Sequence, residues 1–124
     1  MLAGIDAIGG FVIGGASAGS FEVSVSSTSV SRTRASHGFG NSVDSPSVTV
    51  TPSGGGGSYT YSWDLTDGDV RIGATAPSAA TTTFSASLGP DDDASGQMTC
   101  TVTDVASGLT ANISVNVSLA LVDV

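Results

Sequence analysis

A chain of 124 residues with a net charge of −8 is sized for one domain with room for a short extension. It has no lysine, and Arg32, Arg34 and Arg71 are its only fixed cations, which argues against nucleic acid and against an anionic membrane surface, since both need clustered basic side chains. Only 11% of residues are charged, whereas Ser and Thr number 35, so the strand faces turned to water must carry hydroxyls in place of ions, and a single cysteine excludes an internal disulfide.

The chain opens on an apolar, glycine-rich arm, residues 1–20, carrying Leu2, Ile5, Ile8, Phe11, Val12 and Ile13. Ile5, Ile8 and Val12 would share a helical face, but five glycines between positions 4 and 15 weaken a helix, and an irregular or extended arm is expected. The segment has no basic start and carries Asp6, so it is not expected to be a cleaved signal, and no run reaches the roughly 20 apolar residues that span a bilayer. Residues 21–124 form the domain proper. Phe21–Val25 alternates as a first strand, and Ser26–Asp44 is polar and reads as a loop. Six further segments alternate with period two: Ser47–Thr51, Tyr59–Leu65, Val70–Ile72, Thr82–Leu88, Met98–Thr103 and Ala111–Leu119. Turns lie between them at Gly54–Ser58, Gly89–Gly96 and Asp104–Gly108. The pattern predicts an all-β antiparallel sandwich of about seven strands.

Strand phase points Phe21, Val23, Val25, Val48, Val50, Tyr59, Tyr61, Trp63 and Leu65 inward, followed by Phe84, Ala86, Leu88, Met98, Cys100, Val102, Ile113, Val115, Val117 and Leu119. Trp63, Phe84, Cys100, Val102, Ile113 and Val115 are its expected heart, with Trp63 at the centre as the largest side chain on a middle strand. Cys100, between Met98 and Val102, reads as a small buried apolar side chain.

The order Thr51-Pro-Ser-Gly-Gly, Tyr59-Thr-Tyr-Ser-Trp63, the Phe84 strand, Cys100-Thr-Val-Thr-Asp104 and Ile113-Ser-Val-Asn-Val117 resembles bacterial immunoglobulin-like and polycystic-kidney-disease-type domains. Trp63-Asp-Leu-Thr-Asp-Gly68 is similar to the Trp-Asp-Phe-Gly-Asp-Gly run of the second family, with Leu-Thr in place of Phe-Gly. Cys100 falls where immunoglobulin domains keep their second cysteine, but the facing strand offers Val48 and Val50, so the bridge is missing. The resemblance covers about Ser47 to Leu119 and implies an immunoglobulin-like sandwich. Small free-standing chains of this style resemble virion components of tailed bacteriophages. That implies a non-enzymatic capsid decoration or minor capsid protein on the particle surface, or else a neck or tail appendage, or a carbohydrate- or cell-surface-binding module. The implied partners are other virion proteins and further copies of the chain, with no nucleic acid, no membrane, no cofactor and no metal.

Other motifs compete with simpler readings. Gly15-Ala-Ser-Ala-Gly19 matches a nucleophile elbow, but that device needs a hydrolase sheet with a histidine and an acid at hand, and the sole histidine, His37, sits in a predicted loop. Asp64, Asp67 and Asp69, and the run Asp91–Asp93, could contribute oxygen ligands to calcium but read more simply as turn and loop-tip residues. The sequons at Asn112 and Asn116 read as outward strand positions. A sugar-binding module would need Tyr59, Tyr61 or Trp63 turned outward. The six large apolar side chains of the arm are each worth roughly 1.5–3 kcal/mol when buried, so the arm is expected to dock on a neighbouring subunit, or to cover an open end of its own sandwich. Strand edges without lysine are open to cover by partner chains.

Overall fold

The computed structural model describes residues 21–124, and the predicted arm lies outside them. Ten strands run along the described residues: β1 (Glu22–Val25), β2 (Ser29–Ser36), β3 (Asn41–Asp44), β4 (Val48–Ser53), β5 (Tyr59–Gly68), β6 (Gly73–Ala74), β7 (Thr81–Thr82), β8 (Phe84–Leu88), β9 (Asp92–Asp104) and β10 (Thr110–Asp123). One layer is a four-stranded sheet in the order β2-β10-β9-β5, and the other comprises two three-stranded pieces, β1-β4-β7 and β3-β8-β6. All pairings are antiparallel except β2 with β10, which runs parallel from Ser29↔Asn116 to Ser36↔Asp123.

Alternation decides which side chains fill the space between the layers. Val48 and Val50 of β4, Phe84, Ala86 and Leu88 of β8, Trp63 of β5, Met98, Cys100 and Val102 of β9, and Val115, Val117 and Leu119 of β10 are all buried. Phe21, Val23, Val25, Tyr59, Tyr61, Leu65 and Ile113 are partly buried and pack against that core. Trp63 meets Phe84 edge-on across the layers, with centroids 5.2 Å apart and planes at 70°, and donates its indole N–H to the Ala79 carbonyl at 3.0 Å. The only polar atom of the largest core side chain is thereby satisfied, as burial of an indole requires.

Four stretches differ from the sequence expectation. Ser26–Asp44 holds β2 and β3, with Val30 and Val43 buried. Each strand carries a single large inward apolar residue, too few for a period to show, and their pairing with β10 and β8 supplies what propensity lacks. Val70–Ile72 is a turn closed by the Ile72 N–H on the Asp69 carbonyl at 3.2 Å. Ile72 is 3% exposed and Val70 87%, an outcome that no strand phase allows for residues two apart. Strand β9 begins at Asp92, because β10 continues past Leu119 to Asp123 and offers pairing partners for Asp92–Ser95. Within the predicted Thr82–Leu88 strand, a break at Thr83 lets β7 pair with β4 and β8 with β3 and β6.

Ser45 joins the two pieces of the second layer. Buried between β3 and β4, it donates its backbone N–H to the Phe84 carbonyl at 2.7 Å and accepts the Phe84 N–H on its hydroxyl at 3.0 Å.

Candidate functional site

Two of the acidic residues that the sequence offered as possible cation ligands, Asp69 and Asp92, are drawn together by an arginine. Asp69 grips Arg71 with both oxygens, at 3.1 Å from Nε to Oδ1 and 2.7 Å from Nη2 to Oδ2, while Arg71 Nη1 reaches Asp92 Oδ2 at 2.6 Å. Nη2 also donates to the Asp93 carbonyl at 2.9 Å. These charge-assisted bonds from the guanidinium hold the Asp69 carboxyl at about 2, well below its ordinary range, and lower Asp92 in the same direction; the guanidinium is pushed up in return. The cluster is a clasp between the β5–β6 turn and the start of β9. Asp64 accepts only from the Ser62 hydroxyl at 3.3 Å, and among the described residues no group of three or more His, Cys, Asp or Glu is arranged to hold a metal ion.

A second carboxylate has a role that the sequence reading missed. Asp104, 1% exposed at the end of β9, accepts from the Ser107 hydroxyl at 2.7 Å and from the Gly56 N–H at 3.1 Å. Those donors hold its pKa low. The glycine run exists for this contact: Gly54, Gly55 and Gly57 have left-handed φ of 77°, 64° and 90°, and a Cβ on Gly55 would lie 2.5 Å from Asp104 Oδ2. The Tyr59 hydroxyl donates to the Gly54 carbonyl, and the Tyr59 ring stacks on Phe21 at 5.9 Å, so the chain enters β1 beside this turn.

Of the side chains expected at the heart of the core, Trp63, Phe84, Cys100, Val102 and Val115 are buried and Ile113 packs against them. Trp63, Cys100 and Ile113 lie side by side on neighbouring strands of the four-stranded sheet. Burial pushes the Cys100 thiol up, which keeps it protonated and unreactive. Trp63 faces the interior and cannot serve as an outward stacking platform; Tyr59 and Tyr61 are half-buried on the same phase. His37 is exposed between β2 and β3. Leu2, Ile5, Ile8, Phe11, Val12 and Ile13, and the Gly15–Gly19 motif, lie outside the described residues.

The outer face of the four-stranded sheet is largely polar, with Ala35, Ala120 and Val122 at one end. Hydroxyls bridge its strands: Thr66 and Thr99 meet at 2.9 Å, and Thr99 and Ser114 at 2.9 Å. The free edge at β2 is guarded by charge. Arg32 and Arg34 pair with Leu119 and Leu121, whose side chains point inward, so both arginines occupy inward positions on an edge strand that overhangs the core. Arg34 donates to the Ser42 carbonyl of β3 at 2.8 Å. Inward-pointing charge of this kind disfavours addition of a further strand.

A solved structure with the same arrangement is an ASH/PapD-like domain of human CEP192, its PapD-like domain 7. The two superpose with a TM-score of 0.55 over 82% of this chain and 86% of that one, at 8% sequence identity. The fold is an immunoglobulin-like β-sandwich. No protein-family model matches the chain, and no curated protein matches it. At this identity the likeness carries fold alone.

Proposed function

We propose that this immunoglobulin-like domain is a non-enzymatic structural component of a bacteriophage particle, a capsid decoration or minor capsid protein. Residues 1–20 hold it to neighbouring virion subunits, and the sandwich projects from the particle surface. The observation that carries the reading is the closed interior: Trp63, Phe84, Cys100 and Val115 meet between the layers, and the large apolar side chains of the strands are spent on the core. Three further features support it. The outer faces carry hydroxyls in ladders. Asp69 and Asp92 of the acidic clusters are engaged in a structural clasp around Arg71. The chain enters the described domain beside the β4–β5 turn, where Phe21 stacks on Tyr59, so the apolar residues 1–20 are joined to one end of the sandwich. The motif order from Thr51 to Val117, similar to bacterial immunoglobulin-like and polycystic-kidney-disease-type domains, supplies the particle context.

Mass spectrometry of purified particles of a phage encoding the chain tests the reading. Hundreds of copies per particle are expected for a shell protein, and a dozen or fewer place it at the neck or tail. The full chain should bind particles that lack it, and the chain without residues 1–20 should not. Absence from particles refutes the function; equal binding by both forms refutes the role of the arm.

A further inference from the structure

The hydroxyl ladders on the outer face of the β2-β10-β9-β5 sheet end at Gln97, whose Oε1 accepts from the Thr66 hydroxyl at 3.5 Å. There, Ser29, Asn116, Gln97 and Asp67 stand in a single row across all four strands, since Ser29 pairs with Asn116, Asn116 with Gln97 and Gln97 with Asp67. Their neighbours on the buried phase, Val30 and Val117, point into the core, so the row points outward. The row lines a shallow cleft of about 430 Å³, with Ser95 and Ser118 from the next outward row on its rim.

Backbone geometry makes the hollow. The register slips between Leu65 and Asp67, and past the bulge Gly68 faces Gly96. Gly68 has a φ of 97°, and a Cβ there would lie 2.4 Å from the Gly96 Cα, while one on Gly96 would lie 2.7 Å from the Asp67 carbonyl. Gly96 is on the core phase opposite buried Val117, so its missing side chain lets β5 and β9 press together there, and their backbone forms the floor of the cleft beneath the row.

The chemistry of the row is selective. Hydroxyls and primary amides both donate and accept, and the single carboxylate accepts. Elsewhere on the same face the hydroxyls of Thr66, Thr99 and Ser114 bond one another, whereas among the described residues the side chains of Ser29, Asp67, Ser95, Asn116 and Ser118 have no protein hydrogen-bond partner. No cation lines the cleft, and the chain is strongly acidic, so anionic ligands are repelled. A lone carboxylate offers too few ligands for a hard divalent cation. Four strands at the usual spacing make a row about 14 Å long, sized for a short linear ligand.

We propose that this cleft binds a neutral saccharide, a short oligosaccharide laid across the four strands with its hydroxyls exchanging hydrogen bonds with Asn116, Gln97, Asp67 and Ser29. With no aromatic platform, the affinity is weak, in the range of about 1 mM. The site is independent of the particle reading; either can fail without the other.

Backbone amide spectra of the ¹⁵N-labelled chain, titrated separately with maltotriose, chitotriose, galactotriose and mannotriose, test it. At least one is expected to shift Gly68, Gly96, Gln97 and Asn116 together and saturably, with sialyllactose and calcium shifting none of them. The double substitution Gln97→Ala with Asn116→Ala should weaken that binding at least tenfold while the rest of the spectrum is unchanged, and Thr101→Ala, on the same face but outside the row, should not. Silence of the row with all four neutral sugars, binding that survives the double substitution, or a preference for calcium or sialyllactose would each overturn the proposal.

Discussion

Residues 70–72 give the sharpest test of how this core closes. A strand would place Val70 and Ile72 on one face, and substitutions at the two positions would cost similar amounts. The turn separates them: Ile72 is 3% exposed beneath the β5–β9 crossing, and Val70 is 87% exposed. Ile72→Ala removes three buried carbons, worth about 2.4 kcal/mol at roughly 0.8 kcal/mol each. The cavity term raises this toward about 3 kcal/mol, because the neighbouring floor at Gly68 and Gly96 is bare backbone that cannot collapse into the space. Val70→Ala, by contrast, should stay within about 0.5 kcal/mol of the parent. Urea unfolding of the three proteins at equal m-values measures both numbers. Thermal midpoints should follow, with Ile72→Ala lower by about 12 °C at roughly 4 °C per kcal/mol for a domain of this size. Equal losses at the two positions, or a loss above about 1 kcal/mol at Val70, would refute the turn and restore the strand.

Three more outcomes follow from the same geometry. Gly68→Ala should cost about 2–3 kcal/mol, because it adds strain at a left-handed φ to a clash with the Gly96 backbone, whereas Gly73→Ala, with nothing within 4 Å, should be neutral or stabilising in the same unfolding assay. The Asp69 and Asp92 carboxyls have lowered pKa values in the folded state, so their contribution is complete above the ordinary carboxyl range and is lost as pH falls from about 4 toward about 2; in Arg71→Met, NMR titration should find Asp69 back near its ordinary value and the acid limb of the stability curve shallower. Replacing Arg32 and Arg34 together by Thr should leave secondary structure unchanged but produce concentration-dependent association through β2, seen by sedimentation, because the inward charges that guard that edge are gone.

Period-two alternation was enough to read the layered core. At β4, β8, β9 and β10 the inward side chains are mostly Val, Leu, Ile, Phe, Met, Ala or Cys, with Asp104 the buried exception, so phase and burial largely coincide. Where the layers are incomplete the signal failed. Strand β2 has the inward series Val30, Arg32, Arg34 and Ser36; only its first and last members are covered by the opposite layer, so the alternation that marks a strand is missing although the strand is present. The start of β9 reads as a loop for a related reason, since Asp92 and Asp93 meet Arg71, 21 residues before Asp92, which pairs with Asp92 and bonds the Asp93 carbonyl. Asp104 carried no local mark of burial; one partner, the Ser107 hydroxyl, is three residues on, but the other, the Gly56 N–H, comes from a turn 48 residues away. The row Ser29, Asn116, Gln97 and Asp67 was invisible for the same reason, being assembled from four strands whose registers the sequence does not print.

The two ends of the sandwich are built on different physics, and that difference bears on how the domain can be mounted. At the end where the chain enters, the Asp104 carboxylate is buried among neutral donors from the glycine turn and Ser107, and Tyr59 stacks on Phe21. Val105 and Leu109 stand exposed on the adjoining β9–β10 turn, an apolar rim beside the root of the apolar arm. The opposite end holds Asp69, Asp92 and Arg71, and its ion pairs are exposed to solvent and screened by salt. An apolar end attached to an apolar arm favours burial against other protein, because transfer of that surface out of water is the larger gain. A salt-sensitive acidic end gains nothing from burial and repels copies of itself at a net charge of −8. This contrast supports the proposed mounting by the entry end, in which the acidic end and the hydroxyl faces stay in water.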